Sequence, residues 1–163
     1  MKITVLGCSA SEGIPAIFCN CDLCRQARER KIYRTRSQIL INDDMLVDFP
    51  PDTYYRSLVM GVELGKIENI LVTHSHCDHF YADDFFARGD WSSFCLPVET
   101  VTIHGNTAIR NAFERNGYAK KKGTYVHESR GMINGYNVYD QSSEYTVHKP
   151  FETFTAGKYV VTA

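Results

Sequence analysis

Thr73-His74-Ser75-His76-Cys77-Asp78-His79 follows directly on the apolar run Ile70-Leu71-Val72. Few physical needs besides metal binding place three imidazoles and a carboxylate within residues 74–79. On an extended segment His74 and His76, two residues apart, point the same way and can grip one ion. Asp78 and His79 fall where the strand bends into a loop, which can turn them toward a second ion. Neutral imidazole and carboxylate suit zinc, manganese or iron, whereas softer metals favour thiolate. Two ions roughly 3.5–4 Å apart form a clamp for phosphoryl or acyl transfer. Cys77 sits between these ligands, and its side chain is expected to point away from them.

A second metal-ligand pattern lies upstream. Cys19-Asn20-Cys21-Asp22-Leu23-Cys24 is C-x-C-x-x-C at the mouth of a helix. Three thiols so close can hold one zinc tetrahedrally when a fourth ligand arrives. A redox pair and a disulfide are the alternatives. A reducing compartment disfavours the disulfide, and the absence of a thioredoxin-like βαβ context disfavours the redox pair.

The bulk properties exclude several classes. A chain of 163 residues suits one domain, 1–163, with a sizeable core. It is 44% hydrophobic and 23% charged, with net charge -1, which argues against disorder and against a dominant nucleic-acid surface. The locally basic run Arg25, Arg28, Arg30, Lys31, Arg34, Arg36 reads as a solvated face. No apolar run is long enough for a membrane span, and the alternating start Met1-Lys2-Ile3-Thr4-Val5-Leu6 reads as a strand rather than a signal peptide. The expected location is the cytoplasm, where six cysteines serve as metal ligands or free thiols.

The local pattern predicts a strand over 2–7, a loop of small residues over 8–20 and a polar helix over 22–31. Residues 37–41 and 45–49 form a hairpin around Asn42-Asp43-Asp44. Pro50-Pro51 ends it, and Asp52 is placed to cap a helix running to Met60. A strand follows over 69–73, and a helix over 81–88 with Tyr81, Phe85 and Phe86 partly buried and Asp83 and Asp84 capping or facing water. A strand over 98–104 leads through Gly105 to a helix over 106–116 that stops at Gly117. Thereafter the pattern is β, at 135–139, at 145–148 and in a hairpin around Ala156-Gly157. His104 reads as structural, and His127 and His148 as surface or strand histidines. Mixed strands and helices with several hairpins give an α+β class with helices outside layered sheets.

Thr-His-Ser-His-Cys-Asp-His resembles the His-x-His-x-Asp-His signature of the metallo-β-lactamase superfamily of hydrolases. The resemblance implies that His74 and His76 bind one metal and that Asp78 and His79 bind the other, with Asp78 also able to relay a proton. Met45-Leu46-Val47-Asp48-Phe49 resembles the family's earlier strand ending in aspartate, which implies that Asp48 orients the ligand loop. Leu6-Gly7-Cys8-Ser9-Ala10-Ser11-Glu12-Gly13-Ile14-Pro15, followed by the cysteines, looks like the branch holding PhnP-type phosphodiesterases and PqqB-type proteins. That likeness implies a structural zinc on Cys19, Cys21 and Cys24, completed in PhnP-type proteins by a late histidine for which no match is assigned.

The implied fold is a four-layer αβ/βα sandwich, of which these residues make the N-terminal half. The family's remaining metal ligands have no counterpart here, so the chain reads as truncated at its C-terminal end and, taken alone, as inactive or as a homodimer or assembly unit. The implied activity is hydrolysis of a small phosphodiester by a metal-bridging hydroxide, with two divalent ions, zinc or manganese, and one structural zinc. A non-catalytic metal-binding or assembly protein is the second reading. An RNA-processing nuclease is the third, and the near-neutral charge weighs against it.

Overall fold

The fold comes from a computed structural model that describes residues 1–88, 93, 95–115, 118–121, 124–127, 132–133, 136–137 and 143–163, with side chains described for all of these except Phe86 and residues 114–137. Strand β1 (Ile3–Gly7) is followed by helix α1 (Asp22–Glu29) and by β2 (Gln38–Ile41) and β3 (Met45–Val47). Helix α2 (Thr53–Met60) precedes β4 (Asn69–Leu71), and β5 (Val101–Gly105) leads into α3 (Thr107–Arg115). Short strands follow: β6 (Tyr118–Lys121), β7 (Thr124–His127), β8 (Met132–Ile133) and β9 (Tyr136–Asn137). β10 (Ser143–Val147) and the hairpin β11 (Thr153–Ala156) and β12 (Tyr159–Thr162) close the sequence of elements.

The main sheet has the order β1-β2-β3-β4-β5-β10-β7-β6. β1, β2 and β3 pair antiparallel in succession, whereas β3-β4, β4-β5 and β5-β10 are parallel. The expected hairpin over 37–49 is therefore present, turning at Asn42 with a left-handed φ of 50° that an asparagine side chain tolerates. One sheet face carries Leu46, Ile70, Val101 and Ile103, which form one buried cluster with Phe80, Phe85, Ile109 and Phe113. The helix expected over 81–88 is a 3-10 helix over residues 82–87; Tyr81 is half-buried as expected, and Phe85 is buried outright. Met45, Asn69 and His104 are buried outside that cluster, at alternate positions to its members and so on the opposite face.

Two expectations are corrected. Asp52 stands at the N-terminus of α2 but makes no side-chain cap. Its carboxylate accepts the Arg36 backbone N–H at 2.9 Å and Arg36 Nη1 at 3.0 Å, because a half-buried guanidinium is the stronger partner. His148 is no surface residue: at 8% exposure it is buried against His104. The expected stop at Gly117 and the side chains of Phe86 and His127 lie outside the described residues, as does most of the strand expected over 135–139.

The end of β1 is fixed by close approach to residues 35 and 36. A Cβ added at Gly7 would lie 1.9 Å from the Arg36 carbonyl oxygen, and backbone cannot swing aside as a side-chain tip can. Gly7→Ala is therefore expected to cost about 2–4 kcal/mol, as a large steric effect. Urea unfolding beside the native chain checks this, and a loss below about 0.5 kcal/mol would mean that the approach is not obligatory.

Candidate metal centre

The histidine turn lies at the carboxyl ends of the parallel strands β3 and β4, where neighbouring strands release their chains into loops. Asp48 follows β3 in a left-handed conformation, with φ 65°, at 3% exposure. Its N–H donates to the Leu71 carbonyl at 2.8 Å, and its own carbonyl accepts Gln38 Nε2 at 3.1 Å. The backbone thus ties β3 to β4 and aims the carboxylate over the turn.

That carboxylate is fully engaged. Asp48 Oδ1 accepts the Thr73 N–H and the Thr73 hydroxyl, each at 2.8 Å, and Oδ2 lies 2.6 Å from His79 Nδ1. A carboxylate oxygen only accepts, so Nδ1 carries a proton and Nε2 is the nitrogen left to ligate an ion. Nε2 stands 3.6 Å from Asp78 Oδ2. The His74 ring centroid is 4.0 Å from that of His79 and 4.8 Å from that of His76. The turn is held by His79 N–H to the His76 carbonyl at 2.9 Å, and by Phe49 N–H to the His79 carbonyl at 2.7 Å. The structure therefore sets the His74 ring beside those of His76 and His79, and Asp78 beside His79, with Asp48 bound to the far nitrogen of His79. Among the described residues, only the three cysteines of the upstream loop bring three ligand atoms within 4.8 Å of one another. Cys77 is exposed.

Sequence reading passed over Thr73. Its hydroxyl binds both oxygens of Asp48 and reaches His74 Nδ1 at 3.1 Å, so it couples the buried carboxylate to the first histidine. The signal was its place at the head of the ligand run, directly after the apolar strand.

Cys19, Cys21 and Cys24 converge at the start of α1, with their sulfurs all within 4.8 Å of one another. The Cys24 backbone N–H, then the Cys19 and Cys24 thiols, hold the Cys21 thiol below its usual range. Cys24 is buried and accepts the Ala16 N–H at 3.3 Å, which favours its thiolate, yet burial and its two sulfur neighbours together push it up. Three thiols that compete for negative charge are a donor set a divalent cation relieves. Arg28 donates to the Cys19 carbonyl at 2.6 Å and closes the loop onto the helix. All six cysteines are free.

Asp84 is half-buried, and burial together with Asp83 raises its carboxyl above the ordinary range, whereas Asp83 faces water. Neither approaches the histidine turn in any described hydrogen bond or ion pair. Among the described residues no helix is long and apolar enough to cross a membrane.

No protein-family model matches the chain. An octanoyltransferase of Porphyromonas gingivalis (strain ATCC BAA-308 / W83) is 29% identical over 129 residues, which is 77% of this chain and 25% of that protein. Among solved structures, Zn2+-bound PqqB from Methylobacterium extorquens superposes with a TM-score of 0.65 at 19% identity, over 94% of this chain and 51% of that one. A diphosphatase of the PhnP family gives 0.55 at 24% identity, over 77% and 55%. The metallo-β-lactamase fold protein YhfI of Bacillus subtilis gives 0.60 at 19% identity, over 98% and 51%. The chain thus spans about half the length of these structures and a quarter of the curated relative. These superpositions cover most of the chain: it has the metallo-β-lactamase fold, with PqqB and a PhnP-family protein among its structural neighbours.

Proposed function

We propose that this chain carries the ligand turn of a metal-dependent hydrolase acting on a small phosphodiester. The observation that carries the reading is the 2.6 Å contact of Asp48 Oδ2 with His79 Nδ1, which leaves Nε2 facing Asp78 as the ring nitrogen for an ion. Metal-ligating histidines are held in this way by a carboxylate on the far nitrogen. The donors fit the ions: His74 and His76 would hold one, Asp78 and His79 the other, and imidazole with carboxylate suits zinc or manganese. Bound there, the ions would supply Lewis-acid activation of water and of the scissile bond.

The chain's own groups do the rest. Thr73 locks the Asp48 carboxylate, and Asp48 fixes the tautomer of His79. Asp78 would also take up and return a proton in turnover. Cys19, Cys21 and Cys24 would hold a separate structural zinc that clamps the loop after β1, and reduced thiols fit a cytoplasmic protein. The phosphate substrate class is favoured by the PhnP-family diphosphatase among the neighbours. The octanoyltransferase is matched over a quarter of its length, and we carry no acyl transfer to this chain.

A non-catalytic metal-binding role is the second reading, favoured because the turn offers two protein ligands per ion. Metal analysis joined to a chromogenic phosphodiester assay separates the two. The expected result is bound metal together with cleavage that chelation lowers by at least about a hundredfold and that Zn2+ or Mn2+ restores. Metal without cleavage favours the second reading, and cleavage that survives chelation excludes the hydrolase mechanism.

A further inference from the structure

On the sheet face opposite the main core, His104 and His148 stack at 5.2 Å between centroids with an interplanar angle of 23°. Both are more than nine-tenths buried. Phe154 of β11 lies flat on His148, at 3.4 Å and 12°, and against His104 at 5.1 Å and 22°. His104 Nδ1 is 3.0 Å from His148 Nε2, and His104 Nε2 is 3.0 Å from Asn69 Oδ1. One set of protons satisfies both contacts: His148 Nε2–H donates to His104 Nδ1, and His104 Nε2–H donates to Asn69 Oδ1. In that arrangement His104 is neutral and both its nitrogens are used. A second proton can enter only at Nδ1, directly against the His148 N–H.

We propose that His104 is an acid-sensitive latch for the β11–β12 hairpin. While neutral it holds the hairpin on the sheet through the stack with His148 and Phe154, and once protonated it releases it. Among the described residues the hairpin pairs with itself and with no strand of the main sheet, so it can leave as a unit.

The charged groups around the latch fix the pH window. Burial, then the neighbouring His148, lowers His104 from 6.5 to about 4. Closed and open forms therefore differ in proton uptake between those values, and the closed form weakens as pH falls through that range. Among the described residues Glu152 is the anion against the pair, 3.4 Å from His148 Nδ1, and its hydrogen bonds do not reach His104. The Lys149 N–H, then His148, hold Glu152 below its usual range. The hairpin is also anchored by Asp44, bound by Lys158 and by the Tyr159 hydroxyl, and by Asn42, whose Nδ2 donates to that same hydroxyl. Burial opposes charge on Asp44, yet the hydrogen bonds from Lys158 and Tyr159 outweigh it and keep the carboxyl below its usual 3.8. Depressed carboxylates lose their contribution only below that value, so from pH 7 to pH 5 this anchor stays intact. Glu68, on the strand side, is a further carboxylate near the hairpin, beside Gly157.

Hydrogen exchange of the 163-residue chain, expressed as protection factors at pH 7 and pH 5, tests the latch. Residues 153–162 should lose protection by roughly twentyfold, the factor that the two protonation equilibria of His104 give, while β3, β4 and β5 keep theirs. His104→Gln, which keeps an N–H for Asn69 and cannot ionise, should abolish the pH dependence. Unchanged hairpin protection in the native chain would overturn the proposal. So would parallel loss across the whole sheet, or a twentyfold drop that persists in His104→Gln. Should that variant fail to fold, the His104 ring is followed by NMR in the native chain: a midpoint near 4 supports the latch, and one near 6.5 overturns it.

Discussion

Asp48→Ala is expected to weaken metal binding at the histidine turn by roughly ten- to a hundredfold. The same change should destabilise the fold by about 3 kcal/mol. The carboxylate is buried, and it accepts the Thr73 N–H, the Thr73 hydroxyl and His79 Nδ1. Alanine leaves the Thr73 N–H without its acceptor and frees the His79 ring to rotate or to take the other tautomer. It must also adopt the left-handed φ of 65° that aspartate tolerates better, since short polar side chains bond locally there. Zinc titration and urea unfolding, run side by side, separate the two effects. Asp48→Asn keeps one accepting oxygen and should fall between alanine and the native chain in both. Native metal affinity in Asp48→Ala would mean that the histidine is oriented by something else.

Phe113→Ala is expected to cost about 3–5 kcal/mol and to lower Tm by roughly 10 °C. The side chain is fully buried on α3, and its ring centroid lies 5.7 Å from Phe85 and 6.1 Å from Phe80. Removing it opens a cavity whose walls are the sheet and the 3-10 helix, and neither can collapse without breaking strand pairing. Phe80 directly follows His79, so the cavity also borders the ligand turn. Metal affinity should nevertheless change far less than stability, because Asp48 and Thr73 hold the turn from the opposite side. Calorimetry with and without zinc reads both, and a stability loss below 1 kcal/mol would place Phe113 outside the core.

The sequence was most legible where one local rule acts alone. The turn of histidines after Ile70-Leu71-Val72 and the hairpin turning at Asn42-Asp43-Asp44 each combine an apolar strand with a polar break, and in both the strand ends and the chain turns where expected. The three cysteines were equally readable, because six residues bring them together without help from the rest of the fold. Asp52 was misread because its competitor, Arg36, is remote in sequence, and a cap is a local rule. His148 was misread for the same reason: nothing near it shows that β10 will lie beside β5 and place it on His104. Phe154, which covers both rings, reads in sequence only as one apolar residue of a hairpin. Burial of a polar residue by a distant partner leaves no periodic trace along the chain.

The order of the main sheet carries one more consequence. From β1 to β5 every strand pairs with the strand made just before it. A chain emerging from the ribosome can therefore add each strand to a ready edge, without holding hydrophobic segments open for partners not yet synthesised. β10 breaks that order, since it must pass over β6 to β9 before it reaches β5. Until it does, the β5 edge stays bare, and it is there that a nascent or stalled chain would be captured by another copy or by a chaperone.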